Sequence, residues 1–65
     1  MESRGMIVMN RTTIESLRHV NPRMTFQEMV SIKLDVPVYM VRIDHHNYYN
    51  ESFDEVRIWW EKAAD

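Results

Sequence analysis

Asp44, His45 and His46 stand in a row and carry metal-ligating groups, and His19 or Glu51 could extend such a set. Consecutive residues point to different sides of a helix or strand, so His45 and His46 share one ion only from a loop. Two ligands on one helix are usually spaced i, i+4, and a structural zinc site asks for four ligands. None can be a thiolate, since the chain has no Cys. The expectation is therefore a solvated turn whose imidazoles titrate near neutral pH, with no metal and no cofactor. Nucleophilic catalysis has little to build on. Ser3, Ser16, Ser31 and Ser52 lack the context of a nucleophile elbow. The carboxylates fall mostly at helix starts and on polar faces, which suits solubility and helix dipoles better than acid/base work. A chain of 65 residues can scarcely supply both a core and a deep substrate pocket. Neither an enzyme nor a small-molecule substrate is expected.

The aromatic pairs Tyr48-Tyr49 and Trp59-Trp60 have the faces needed to stack nucleobases. That mode needs cations around the rings. Their neighbours are Asp44, Glu51, Asp54, Glu55 and Glu61, which repel phosphates. Protein contact fits better, because Trp, Tyr, Met and Arg are the types enriched at interface centres. Trp60 is expected in the core and Trp59 at a surface or interface. The candidate partner or dimer interface is Trp59, Ile58, Tyr48, Tyr49 and Met40. Composition points the same way: 45% hydrophobic residues, with six Met and two Trp, is more apolar area than one small core easily hides. Without disulfides, a partner subunit is the remaining staple for so short a domain.

The elements that would position these residues can be read from caps and periodicity. Thr12-x-x-Glu15, Thr25-x-x-Glu28 and Ser52-x-x-Glu55 each fit a capping box. They predict helices from about Thr13 to Val20, from about Phe26 to Leu34, and from Phe53 to about Ala64. Asn21-Pro22 stops the first, since the residue before proline is pushed out of the helical region. In the last, Phe53, Val56, Trp60 and Ala63 form the stripe. Residues 30–40 are contested. Val30, Ile32, Leu34, Val36, Val38 and Met40 alternate with Ser31, Lys33, Asp35, Pro37 and Tyr39, which is a strand pattern. Pro37 can equally open a new helix over 37–46, and that reading is preferred. The rival strand would need a partner, for which Met6–Met9 is the obvious candidate. The expected fold is mainly α: one small domain over 1–65 with three to four helices and a frayed segment at 1–9. The alternative is α+β, with a short strand or hairpin within 30–44.

Gln27–His46 resembles the helix-turn-helix unit of DNA-binding regulators. Val30, Leu34, Val36 and Val41 fall at its buried positions, Ser31 where its helices approach closest, and Asp35 at its turn. The resemblance implies that Val38, Tyr39, Arg42, Ile43 and His46 face the major groove, and that Arg18, Arg23, Lys33 and Arg42 reach phosphates. Three departures count against it: Asp35 replaces the usual Gly at the turn, Asp44 stands where a buried apolar residue is expected, and the groove face is largely apolar. In size and style the chain also resembles accessory or host-modulating proteins of temperate phages.

Net charge is −2 at pH 7. Residues 1–42 hold six Lys/Arg against four acids, leaving +2, and residues 43–65 hold six acids against Arg57 and Lys62, leaving −4. Duplex DNA binding leans on neutralising phosphates, so four candidate cations predict weak affinity unless a dimer doubles them. No apolar run approaches a membrane span and no charged-then-apolar leader is evident, so a cytoplasmic protein with no membrane contact is expected. The leading expectation is a small non-enzymatic regulatory module that binds protein, itself included as a homodimer. The alternative is a helix-turn-helix transcriptional regulator bound to duplex DNA.

Overall fold

Residues 3–44 and 49–63 are described by the structure, a computed structural model. Strand β1 (Arg4–Asn10) runs directly into helix α1 (Arg11–Val20), followed by helix α2 (Phe26–Leu34). A single 3-10 turn at Val38–Met40 leads to β2 (Val41–Ile43), and the chain closes with β3 (Tyr49–Glu51) and β4 (Glu55–Lys62). β4 is the centre of an antiparallel sheet, with β1 along one side and both β2 and β3 along the other. Val41 faces Lys62 and Tyr49 faces Ile58, so eight steps along the β2–β3 margin match only four along β4.

The sheet follows from alternation. Ile7 and Met9 on β1 point to one face with Val56, Ile58 and Trp60 on β4 and Val41 on β2. This face meets Ile14 of α1 and Met29 and Val30 of α2, and Leu17, Met24, Phe26 and Leu34 pack around them. The architecture is thus two layers, helices on one side of a sheet. Among the described residues no helix is long and apolar enough to cross a membrane.

Local chemistry sets the helix ends. Asn10, the last residue of β1, caps α1, its side-chain oxygen accepting from the Thr12 amide at 2.8 Å. The cap therefore lies two residues before the expected Thr12. Thr25 caps α2 as its motif predicts, accepting from the Glu28 amide at 3.2 Å while its hydroxyl donates to Glu28 Oε1. Asp35 ends α2 in the left-handed region, with φ 57° and ψ 49°. The next amide, Val36, returns to the Ser31 carbonyl, and the Ser31 hydroxyl donates to the Val36 carbonyl at 2.6 Å. Gln27 then ties the following segment down, donating to the carbonyls of Val38 and Val41. Glycine is the usual residue at a left-handed helix end, and a carboxylate there also meets the negative end of the dipole. Asp35→Gly is therefore expected to stabilise the protein by about 0.5–1 kcal/mol. Asp35→Val is expected to lower the thermal midpoint, and paired melting curves check both signs.

Four expectations are corrected. The fold is α+β, with two helices and a four-stranded antiparallel sheet, and is not mainly α. The helix over 37–46 does not form: its described part is one 3-10 turn and the strand Val41–Ile43, and Pro37 precedes the turn in an extended conformation. The helix from Phe53 to Ala64 is replaced by β4. Ser52 and Glu55 make a turn in place of a cap, with the Ser52 amide and hydroxyl both donating to the Glu55 carbonyl. Residues 4–9, within the segment 1–9 expected frayed, belong to the strand β1. The physical reason is shared. Val41 and Ile43 on β2, and Val56, Ile58 and Trp60 on β4, are β-branched or aromatic at every second position, and β1 supplies the apolar run Met6–Met9 beside them. Pairing with neighbours on a pleated surface outweighs a cap motif. The alternative of a short strand within 30–44 describes β2.

Candidate interaction surface

The helices cover one face of the sheet, and its second face is formed by the other half of each alternating set. Three rows cross it. Arg4, Glu61 and Arg42 lie opposite one another on β1, β4 and β2. Met6 lies opposite Trp59, beyond which the Asp44 amide donates to the Trp59 carbonyl at 2.9 Å. Val8, Arg57 and Asn50 make the third row, and Asn10 faces Glu55 at the end of β1. The middle of this face is apolar: Met6 is 42% exposed, Val8 41%, and Trp59 half-buried. Its rim is ionic. Arg42 Nε donates to Glu61 Oε1 at 2.7 Å, and the Arg57 guanidinium lies 3.3 Å from Glu55 Oε1. Pairs this exposed add about 0–1 kcal/mol each, so their effect is to orient the rim and frame the apolar centre.

On the helical side, an open cleft of about 380 Å³ lies between α1, Phe26 and Glu51. Arg11, Arg18 and Glu51 in its wall are already engaged. Arg11 Nε and Nη2 donate to the carbonyls of Phe53 and Ser52, and Nη2 sits 3.6 Å from Glu51. Arg18 lies over the Phe26 ring, 5.3 Å from its centroid, and Phe26 packs against Tyr49 at 4.7 Å. These contacts latch the β3–β4 turn to the start of α1.

The residues expected at an interface separate. Trp59 lies on the open face, as a surface or interface position requires, and Trp60 is buried. Ile58 is fully buried and belongs to the core. Tyr49 is half-exposed on β3 against Phe26, and Met40 is half-buried in the 3-10 turn. Tyr48 lies outside the described residues, as do His45 and His46. Val38 and Tyr39 are exposed on the 3-10 turn. Arg18, Arg23 and Lys33 belong to the helical layer, whereas Arg42 is on the open sheet face. The cations that the helix-turn-helix resemblance implies for DNA are thus not gathered on one surface. For a metal, Asp44 is buried at the end of β2, His19 is exposed on α1 and Glu51 pairs with Arg11. Among the described residues no three His, Asp or Glu gather to hold an ion.

Met6 and Val8 are the surface residues that sequence reading missed. Their signal was the unbroken apolar run Met6–Met9, which as a strand carries apolar side chains on both of its faces. Comparison with protein-family models, with curated proteins and with solved structures yields no match.

Proposed function

We propose that this chain is a small non-enzymatic regulatory module that acts by binding protein, itself included, through the open face of its sheet. One observation carries the reading: Met6, Val8 and Trp59 are adjacent on the face that has no helical cover. A contact surface with an apolar centre and an ionic rim has the anatomy of a protein interface. Trp59 at its middle is the residue type that most often dominates binding energy. Several carboxylates have structural employment, which supports a non-enzymatic reading: Glu28 at a cap, Glu51 on Arg11, Glu55 paired with Arg57 along β4, and Glu61 paired with Arg42 across strands.

The test is sedimentation over a wide concentration range, beside titration with duplex DNA at several salt concentrations. Concentration-dependent self-association, weakened by Trp59→Lys in a variant that keeps its circular dichroism, is the expected result. A protein that stays monomeric and shifts duplex DNA steeply with salt, with the shift lost in Arg42→Ala, would overturn it in favour of a DNA-binding regulator.

A further inference from the structure

β1 has β4 on one side, and no strand pairs with its other side among the described residues. Alternate N–H and C=O groups along such an edge point away from the sheet and offer a template for another strand. The opposite margin is unsuited to this, because the mismatch along β4 divides it into β2 and β3, each of three residues. β1 runs seven residues without a break, and from Gly5 to Asn10 it holds neither a charge nor a proline. The features that usually blunt an edge are thus missing from it. Beside it lies a groove with Val8, Met9, Leu17 and Ile32 in its wall, and Ile32 is 54% exposed.

We infer that two copies of this chain join through their β1 strands, antiparallel about a two-fold axis at Ile7, into one continuous sheet. The inference rests on the protein-binding reading above and names its partner and line of contact. The occupant is a second copy because this strand complements itself. A two-fold axis normal to the sheet makes an antiparallel pair and closes the assembly at two. Only registers that pair odd residues with odd, and even with even, keep the core face on one side. Of these, pairing Ile7 with Ile7 uses all seven residues and sets Met6 opposite Val8 of the second copy. The apolar centres of the two open faces then merge into a cluster of two Met6, two Val8 and two Trp59. Arg4 of each copy meets Asn10 of the other, with the other's Glu55 one strand beyond, roughly 10 Å away between strand axes and within reach of two long side chains. Charge complementarity therefore agrees with the register.

The chain has no Cys, which makes cross-linking decisive. With added oxidised glutathione, the Met6→Cys/Val8→Cys double variant is expected to form a disulfide-linked dimer, since opposed residues on paired strands bring Cβ atoms about 4.5–5.5 Å apart. Each single variant, two residues out of register with itself, is expected to link poorly. Val8→Lys is expected to weaken the dimer about tenfold or more while its melting curve stays cooperative. A dimer that survives Val8→Lys and yields no cross-link overturns the edge pairing, and leaves the protein-binding reading standing if Trp59→Lys still dissociates it. A dimer that cross-links and responds to Val8→Lys but ignores Trp59→Lys supports the edge and removes the open face from self-association. A folded protein that is monomeric at every concentration overturns the pairing.

Discussion

Gly5→Ala is expected to destabilise the protein by about 1–2 kcal/mol, and Gly5→Val by about 2–3 kcal/mol. The sign is the informative part. Glycine in a strand interior loses more chain entropy than alanine, so an ordinary strand gains roughly 0.5–1 kcal/mol from Gly→Ala. Gly5, the chain's single glycine, lies directly opposite Trp60 on the inner face. A Cβ built there falls 2.9 Å from Cζ2 of the Trp60 indole and 3.1 Å from Cε2 and Nε1. Trp60 is buried, so the ring cannot withdraw without displacing its neighbours in the core. Its indole occupies the space that a side chain at position 5 would need. For a chain of this length the total stability is roughly 3–10 kcal/mol, so the valine variant loses a large fraction of it. Chemical denaturation of Gly5→Val, Trp60→Leu and the double variant measures the coupling. With the smaller side chain at 60, Gly5→Val should cost far less than it does in the parent. Strictly additive losses would mean that residue 5 and the indole do not meet.

What could be read from the sequence depended on which residues carried each signal. α2 has the expected bounds because its capping box is local, and neighbours in sequence are also neighbours in space. α1 forms where its periodicity predicts but with a different cap: Asn10, the last residue of β1, takes the role expected of Thr12. β4 was lost because two periods coexist in it. Val56 and Trp60 satisfy a helical stripe with Phe53 and Ala63, and Val56, Ile58 and Trp60 satisfy a strand. Nothing within 53–64 decides between them, since the deciding partners are Met6, Ile7 and Val8, some fifty residues away in the chain. The same long-range pairing hid the candidate surface. Trp59 could be named from its type and from its position beside a core tryptophan. Met6 and Val8 could not be named while residues 1–9 were read as frayed, and Ile58 was placed at an interface because the helical stripe left it outside.

Ile58→Ala and Phe53→Ala put the two periods in direct competition. On a helix from Phe53, Phe53 is core and Ile58 lies off the buried stripe. On β4, Ile58 is central: it faces Ile7 on β1 and Tyr49 on β3, and none of its surface is exposed. Phe53 stands in the turn before β4 and is 95% exposed. Truncating a fully buried isoleucine removes its transfer free energy and leaves a cavity, so Ile58→Ala is expected to cost about 2–5 kcal/mol. That can exceed what so small a domain has to lose, and Ile58→Val, at about 0.5–1.5 kcal/mol, keeps the measurement within range. Phe53→Ala should shift stability by no more than about 0.5 kcal/mol, because the ring has no packing to forfeit. The Arg11 guanidinium donates to the backbone carbonyls of Phe53 and Ser52, so these bonds survive the change. Urea melts of the three variants therefore read the period of this segment. A severe Phe53→Ala beside a mild Ile58→Val would restore the helix and remove the sheet that presents Trp59. The opposite order places Ile58 inward, and Trp59, the next residue of the strand, on the other face.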